Sequence, residues 1–418
     1  LPPSRRKTMN RKREWALPGR LRARMARLDP WPVWLLLQMT LCWLLLHAIS
    51  GDSFFGPSYY NTYTLQALAW REGRCFLSRD YPALELAIYQ GNYYVSFPPL
   101  PSLALLPLTF LFGADTPDNL LVKLYAAGAC LAIYNALKRA GYARPRSAAF
   151  AFLFCFGSSL LPMTVQGAVW YHAQTLAFFL MIASIALLMR DRPAPALLCY
   201  ALSVACRPFD ALYALPLFLV YFLRRRRAGV GFGRALRGLL PGIGLGLCVA
   251  AGLAAYNWAR FGNPLEFGHN YLPEFSFQGG TQFSLAHVLP NLRTFLLGAP
   301  LERTAEGLRF KRFGYSLLLA CPALTLTPIH FCRDCIRREI TPEKAVIVLT
   351  MLAHLFLLLL HRTFGGYQLG ARYAVDAMPY AFFYALLSRE RKGWSVFSLH
   401  ILAYALVFTV WGFSQVHI

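Results

Sequence analysis

Acidic residues are scarce in this chain: 19 Asp and Glu stand against 42 Lys and Arg in 418 residues. Charge of either sign makes up only 15% of it, while 57% is hydrophobic. A water-soluble domain is not built from so little charge, so a protein with several membrane spans is expected. The net charge of +23 would suit nucleic acid, but the basic residues fall in short runs between apolar segments. That is the loop bias of membrane proteins, and no nucleic-acid partner is expected. A disulfide framework is also lacking. Most of the ten cysteines, Cys42, Cys130, Cys155, Cys199, Cys206, Cys248 and Cys321 among them, sit inside apolar segments as small hydrophobes. Cys332 and Cys335 form one CxxC with no second ligand pair, which is too little for a zinc site. There is no internal repeat and no disordered linker past the N-terminal arm. One membrane domain over 31–418 is therefore expected after a basic cytoplasmic arm over 1–30.

What the chain does have is long apolar runs. The first, Trp31–Ser50, is long enough to span and follows ten basic and two acidic residues, so the N-terminus is expected inside. The run is longer than a signal-peptide core and reads as a retained span. With Leu1 as its first residue, the chain fits a start at Met9, Met25 or further upstream. The segment after it is outside, over 51–118 in all. Tyr59–Trp70 has helical apolar spacing and is expected along the interface. Pro98–Gly113 is short and holds four prolines, so it re-enters or lies flat. Ten further spans are expected at 119–137, 148–165, 173–189, 194–206, 211–223, 239–258, 313–331, 345–360, 373–387 and 396–413. A second outer loop over 259–312 carries an amphipathic piece near Phe283–Leu297. This all-α fold of about eleven spans puts every purely basic cluster inside, Arg224–Arg227 most strongly, and the C-terminus outside.

The outer face then collects the unusual residues. The first loop gives Asp52, Asp80, Glu85, Tyr89, Tyr93 and Tyr94, and the turn at 166–172 gives Gln166, Trp170 and His172. Arg207 and Asp210 follow, then Asn257, Arg260, Glu266, His269 and Asn270, and last His361, Arg362, Tyr367, Gln368, Arg372, Tyr373 and Asp376. Some have plainer roles. Tyrosines and Trp170 anchor at the interface, Arg207 and Asp210 pair with each other, and Arg260 flanks its span. Arg372 stands between Gly370 and Tyr373 at a helix entry, where glycine would let a phosphate approach. Carboxylates, arginines and aromatics at one membrane surface suit an anionic, lipid-linked, sugar-like ligand.

Four stretches, taken in order, carry a resemblance: GNYYVSFPPLPSLALLPL, QGAVWYHAQTLAF, YNWARFGNPLEFGHNY and GGYQLGARYAVDAMPY. The chain resembles the GT-C superfamily of integral-membrane glycosyltransferases, which includes protein O-mannosyltransferases and lipid A aminoarabinose transferases. Two departures stand out. Tyr60-Asn61 occupies the place where relatives carry an acid soon after the first span, and Gln166 the place of an Asp at the outer end of the third. No metal site and no cofactor is expected. The resemblance implies sugar transfer from a polyprenyl-phosphate donor to an extracytoplasmic acceptor at the plasma or inner membrane. A carboxylate, Asp80 or Glu85 and next Asp52, would act as base in a single inverting displacement. Arg372, then Arg260 and Arg207, would hold the lipid phosphate. Tyr93, Tyr94, Trp170 and His172 would line the sugar pocket, with Glu266, His269, Tyr367 and Tyr373 nearby. A flippase of lipid-linked glycans would instead carry midplane charges and an internal repeat. A non-catalytic envelope-assembly protein would share the fold with a degenerate site.

Overall fold

The computed structural model describes residues 29–417 apart from 82, 274–281, 306, 363–365, 367 and 389–394. Helix α1 (Trp31–Ser50) opens on Pro32 and stops at Gly51, whose φ of 73° lets its N–H close on His47 O. Next come α2 (Thr62–Arg71), a β1–β2 hairpin (Leu86–Tyr89, Asn92–Val95) and α3 (Leu100–Phe112). A run of helices follows: α4 (Asp118–Arg139), α5 (Arg144–Phe156), the short α6 (Leu160–Met163), α7 (Val169–Leu188), α8 (Pro193–Val204), α9 (Ala214–Arg227) and α10 (Phe232–Phe261). Then come α11 (Val288–Leu297) and a second hairpin of β3 (Leu301–Thr304) and β4 (Gly307–Phe310). The chain ends in α12 (Leu317–Ala320), α13 (Pro322–Ile336), α14 (Pro342–Leu359), α15 (Met378–Leu387) and α16 (Val396–His417).

Every expected span falls on helix, and α1, α4, α7, α10, α14 and α16 are long and apolar enough to cross a membrane. The protein is a multi-pass, all-α membrane protein. The other five expected spans are short or broken, for local reasons. The 148–165 span breaks at Gly157, where a Cβ would run into the backbone carbonyl of Leu402 on α16. The 313–331 span breaks at Cys321, ahead of Pro322, which has no N–H to continue the ladder. The last α-helical turns of 211–223 and 373–387 are preceded by tighter 3-10 turns at Pro208–Tyr213 and Arg372–Ala377.

The first hairpin was read from sequence only as loop. Its two-residue turn, Gln90-Gly91, has φ of 49° and 76°, the positive pair that a tight hairpin with right-handed twist requires. Tyr89 pairs with Asn92 and Leu86 with Val95. Helices α2 and α3 form one unit beside it: Ser102 Oγ donates to Gln66 Oε1 at 2.6 Å, and Arg71 to Thr109 O at 2.5 Å. The main core is aromatic and aliphatic, drawn from α1, α4, α5, α7, α14 and α15.

Candidate active site

Between helix ends lies a cavity of about 800 Å³. Its walls come from the C-terminal end of α1, the N-terminal end of α7, the chain just past α14, the turn into α15 and the last residues of α16. Of the residues picked from sequence, Asp52, Glu85, Trp170, His269, Arg372 and Tyr373 line it.

Asp52 sits two residues past α1 on a loop that is tied down at several points. His47 Nδ1 lies 2.9 Å from Asp52 O, Asn119 Nδ2 donates to Ser53 O at 2.9 Å, and the buried Lys123 ammonium reaches Phe54 O at 3.4 Å. The same ammonium donates to Asn119 O and Val165 O, so one lysine joins the loop after α1 to the loop before α7. Gln166 on that second loop donates Nε2 to Asp52 Oδ2 at 2.8 Å. Its neighbour Gly167 lies so close to Asp118 that a Cβ would overlap it, and Asn119 Oδ1 accepts the Gly167 N–H. Gln166, which replaces an expected acid, thus orients a carboxylate.

Glu85 stands at the root of the hairpin with φ of 50°, a left-handed backbone that costs a non-glycine residue energy. Its carboxylate accepts the Trp170 indole N–H at 2.9 Å and is otherwise exposed. Tyr60 stacks obliquely on the other side of Trp170, at 5.1 Å.

Arg372 supplies the opposite charge. It is 4% exposed, and its Nε has no hydrogen-bond partner among the described residues. Its guanidinium lies against Tyr373 and Tyr171 at 4.8 and 5.7 Å. Its backbone is fixed instead: its N–H donates to Gln368 Oε1 at 2.7 Å, and its carbonyl accepts Gln174 Nε2 at 3.0 Å. The expected reason for Gly370 needs correction. It has φ of 86°, but the space a Cβ would fill is held by Ser159 and Ala320, so it serves close packing rather than phosphate approach. Ser159 Oγ also accepts the Ala371 N–H at 3.0 Å.

His269 is presented by a loop that Glu266 shapes, accepting Gly268 N–H at 2.6 Å and Asn270 Nδ2 at 2.8 Å. Burial first, and then the neighbouring His361 and Arg207, push the His269 imidazole down to about 4. It is neutral at pH 7.

Several candidates lie elsewhere. Asp80 is exposed and does not line the cavity. Tyr93 and Tyr94 are hairpin residues: Tyr93 O accepts the Leu77 N–H, and Tyr94 is buried against Phe76, Tyr89 and Phe261. His172 does not line the cavity and is buried against Tyr63 and Tyr125. Arg260 bolts α10 to the hairpin, donating to Val95 O and Asn257 Oδ1 at 2.7 Å each, and stacks on Tyr256. Arg207 pairs with Asp376, not with Asp210, through two bonds of 2.9 and 2.7 Å. Glu266 acts through its loop and does not face the cavity. Tyr367 lies outside the described residues.

Gln166, His361, Arg362 and Gln368, gathered at the outer face from sequence, line the cavity as well, while sequence reading did not single out Gln282, Arg312 and His417, which also line it. Gln282 and Arg312 come from loops joined by isolated bridges, Phe283 to His361 and Phe313 to Gln368, which no local pattern announces, and His417 ends α16. Among the described residues no three His, Cys, Asp or Glu side chains group as a metal site.

No family model and no curated protein matches the chain. Among solved structures, ArnT from Cupriavidus metallidurans bound to undecaprenyl phosphate is similar, with a TM-score of 0.52 and 16% identity, over 85% of this chain and 59% of that one. The oligosaccharyltransferase AglB from Archaeoglobus fulgidus, in complex with an inhibitory peptide and a dolichol-phosphate, gives 0.50 at 12% identity, over 92% and 55%. The chain thus spans little more than half the length of either protein. At these identities the likeness shows the fold, and this chain has the GT-C fold.

Proposed function

We propose that the protein transfers a sugar from a polyprenyl-phosphate donor to an acceptor on the extracytoplasmic side of the membrane. The observation that carries this reading is the buried guanidinium of Arg372, lining a cavity that also holds Asp52 and Glu85. A buried cation without a carboxylate is costly in a membrane protein unless an anion visits it. The solved structures with this fold include one bound to undecaprenyl phosphate and one with a dolichol-phosphate, which supports a lipid phosphate as that anion.

Asp52 is the better placed base. Its loop is fixed by three independent contacts, and Gln166 holds one carboxylate oxygen while Oδ1 has no hydrogen bond among the described residues. That oxygen would take the proton from an acceptor hydroxyl as the hydroxyl oxygen attacks the anomeric carbon. The bond from that carbon to the phosphate oxygen breaks, the electron pair stays on the phosphate, and Arg372 stabilises the charge. One displacement inverts the anomeric centre. Glu85 and Trp170, an exposed carboxylate against an indole, would hold the sugar's hydroxyls and apolar face. The step calls on no cofactor. The cavity end would face outward, because the basic runs Arg224–Arg227 and Arg333–Arg338 meet the first residues of α14, through Arg227 to Glu343 and Asp334 to Lys344, at the end of that helix away from the cavity. That puts the N-terminal arm in the cytoplasm and the end of α16 outside.

The test is release of polyprenyl phosphate from polyprenyl-phosphate sugars by membranes carrying wild type, Asp52→Asn or Glu85→Gln. Asp52→Asn should lower turnover by at least ~100-fold, the usual size of a general-base contribution. Undiminished turnover in that variant would sink the base assignment. A second reading, lipid-phosphate binding without transfer, is favoured by Tyr60 and Gln166, which line the cavity where acids were expected. Tight binding by wild type with no release from any donor would select it.

A further inference from the structure

Arg372 lies on a 3-10 turn, Arg372–Ala377, that carries a carboxylate of its own, Asp376. A cation meant for a visiting anion is of little use if a neighbouring carboxylate claims it. Asp376 is already claimed. Its Oδ2 accepts both Nε and a terminal nitrogen of Arg207, 169 residues away in sequence, at 2.9 and 2.7 Å. Its Oδ1 accepts Gln174 Nε2 at 2.8 Å, and its backbone carbonyl accepts the Tyr213 hydroxyl at 2.9 Å. Gln174 Nε2 also reaches Arg372 O at 3.0 Å, so one amide joins the paired carboxylate to the backbone of the arginine. Arg207 further stacks on Tyr373, the residue next to Arg372. Asp210, on the turn before α9, is bonded to Ser203.

We infer that the Arg207–Asp376 pair is a positioning device for Arg372: it fixes the turn and neutralises the turn's carboxylate, so that the Arg372 guanidinium stays available to a phosphate. The inference rests on Arg372 binding that phosphate. Arg207 is then a positioning residue rather than a ligand, and its effect is electrostatic as well as steric.

The signs of the charge changes test this. The measurement is the affinity of the purified full-length protein for undecaprenyl phosphate, with thermal melting of each variant alongside. Arg207→Gln leaves Asp376 anionic beside the site; binding should weaken on the order of tenfold, the scale of like-charge repulsion between neighbouring groups at an effective dielectric of about 20. Asp376→Asn should bind at least as tightly as wild type, because it leaves Arg207 as an added cation. The double variant Arg207→Gln/Asp376→Asn should recover most of the loss, and Arg207→Lys should bind better than Arg207→Gln. A purely structural brace predicts the reverse: Asp376→Asn as weak as Arg207→Gln, and the double variant no better than either. That result overturns the inference, and Asp376→Asn alone decides the sign if Arg207→Gln fails to fold. Wild type that binds while Arg372→Gln does not, with a flat Arg207 series, refutes this inference only. Wild type that does not bind refutes the proposed function and this inference with it.

Discussion

The two ends of the helix bundle handle charge in opposite ways. Helix α14 shows both: its first residues meet the far end, and the residue two past its last lines the cavity, about 27 Å away for 18 residues at 1.5 Å each. At the far end, acids are matched to bases. Asp334 takes Lys344 at 2.6 Å, Arg333 at 2.8 Å and the Tyr384 hydroxyl at 2.7 Å. Glu343 takes Arg227 at 2.6 Å, and Asp29 takes Lys138 at 2.8 Å. At the cavity, Asp52 and Glu85 are held by a neutral amide and an indole, and Arg372 by aromatic rings. At the far end, charges that serve the fold are neutralised in place. Asp52, Glu85 and Arg372 are held by neutral groups and also line the cavity, so they keep their strength for a ligand, and that combination marks the site.

That contrast gives outcomes that differ in kind as well as size. Asp52→Asn should cut turnover by at least ~100-fold while leaving the melting temperature and lipid-phosphate affinity close to wild type. Loss of affinity equal to the loss of turnover would make Asp52 a structural acid like those of the far end. Asp334→Asn should do the opposite. It leaves Lys344 and Arg333 without their buried anion, which costs about 3 kcal/mol of stability, with turnover per folded molecule unchanged. Altered kinetics in well-folded Asp334→Asn would erase the division between the ends. Trp170→Phe removes one hydrogen bond to Glu85, worth about 1.5–3 kcal/mol for a charged acceptor when buried and less at this exposed position. Its KM for donor should rise several-fold, with kcat little changed.

The smallest effect is on pH. The folded-state value of His269, about 4, lies below its ordinary 6.5, so the unfolded chain binds its proton first. Stability from neutral His269 is complete above pH 6.5 and is lost as pH falls toward 4. The melting temperature should therefore drop between pH 7 and 5, and by less in His269→Gln. An equal drop in both would show that His269 is not held neutral.

Much of the fold was legible in the sequence, because twenty-residue apolar runs and basic clusters are local signals. The fold class, the first span and the short helix before the hairpin needed nothing else. The site was legible only in part. Asp52, Glu85, Trp170, His269, Arg372 and Tyr373 were picked because unusual residues gather at one set of helix ends. Asp80 was picked with them because it lies five residues before Glu85, and sequence distance does not tell which side of a turn faces inward. The hairpin itself went unread although Gln90-Gly91 is a turn signal, since the tyrosines around it suit an interface loop equally well. Arg207 was matched to Asp210 by spacing, whereas its partner Asp376 comes from a turn 169 residues on. No periodicity encodes such a pair, so the cavity-lining Arg372 and the bracing Arg207 and Arg260 looked alike.

The most direct test of the account is the affinity of undecaprenyl phosphate for wild type against Arg372→Gln, both purified and shown to be folded by thermal melting. The account predicts binding by wild type and a loss of at least ~30-fold in the variant, the scale of about 2 kcal/mol expected for a charge-assisted contact to phosphate. Equal affinities would contradict it.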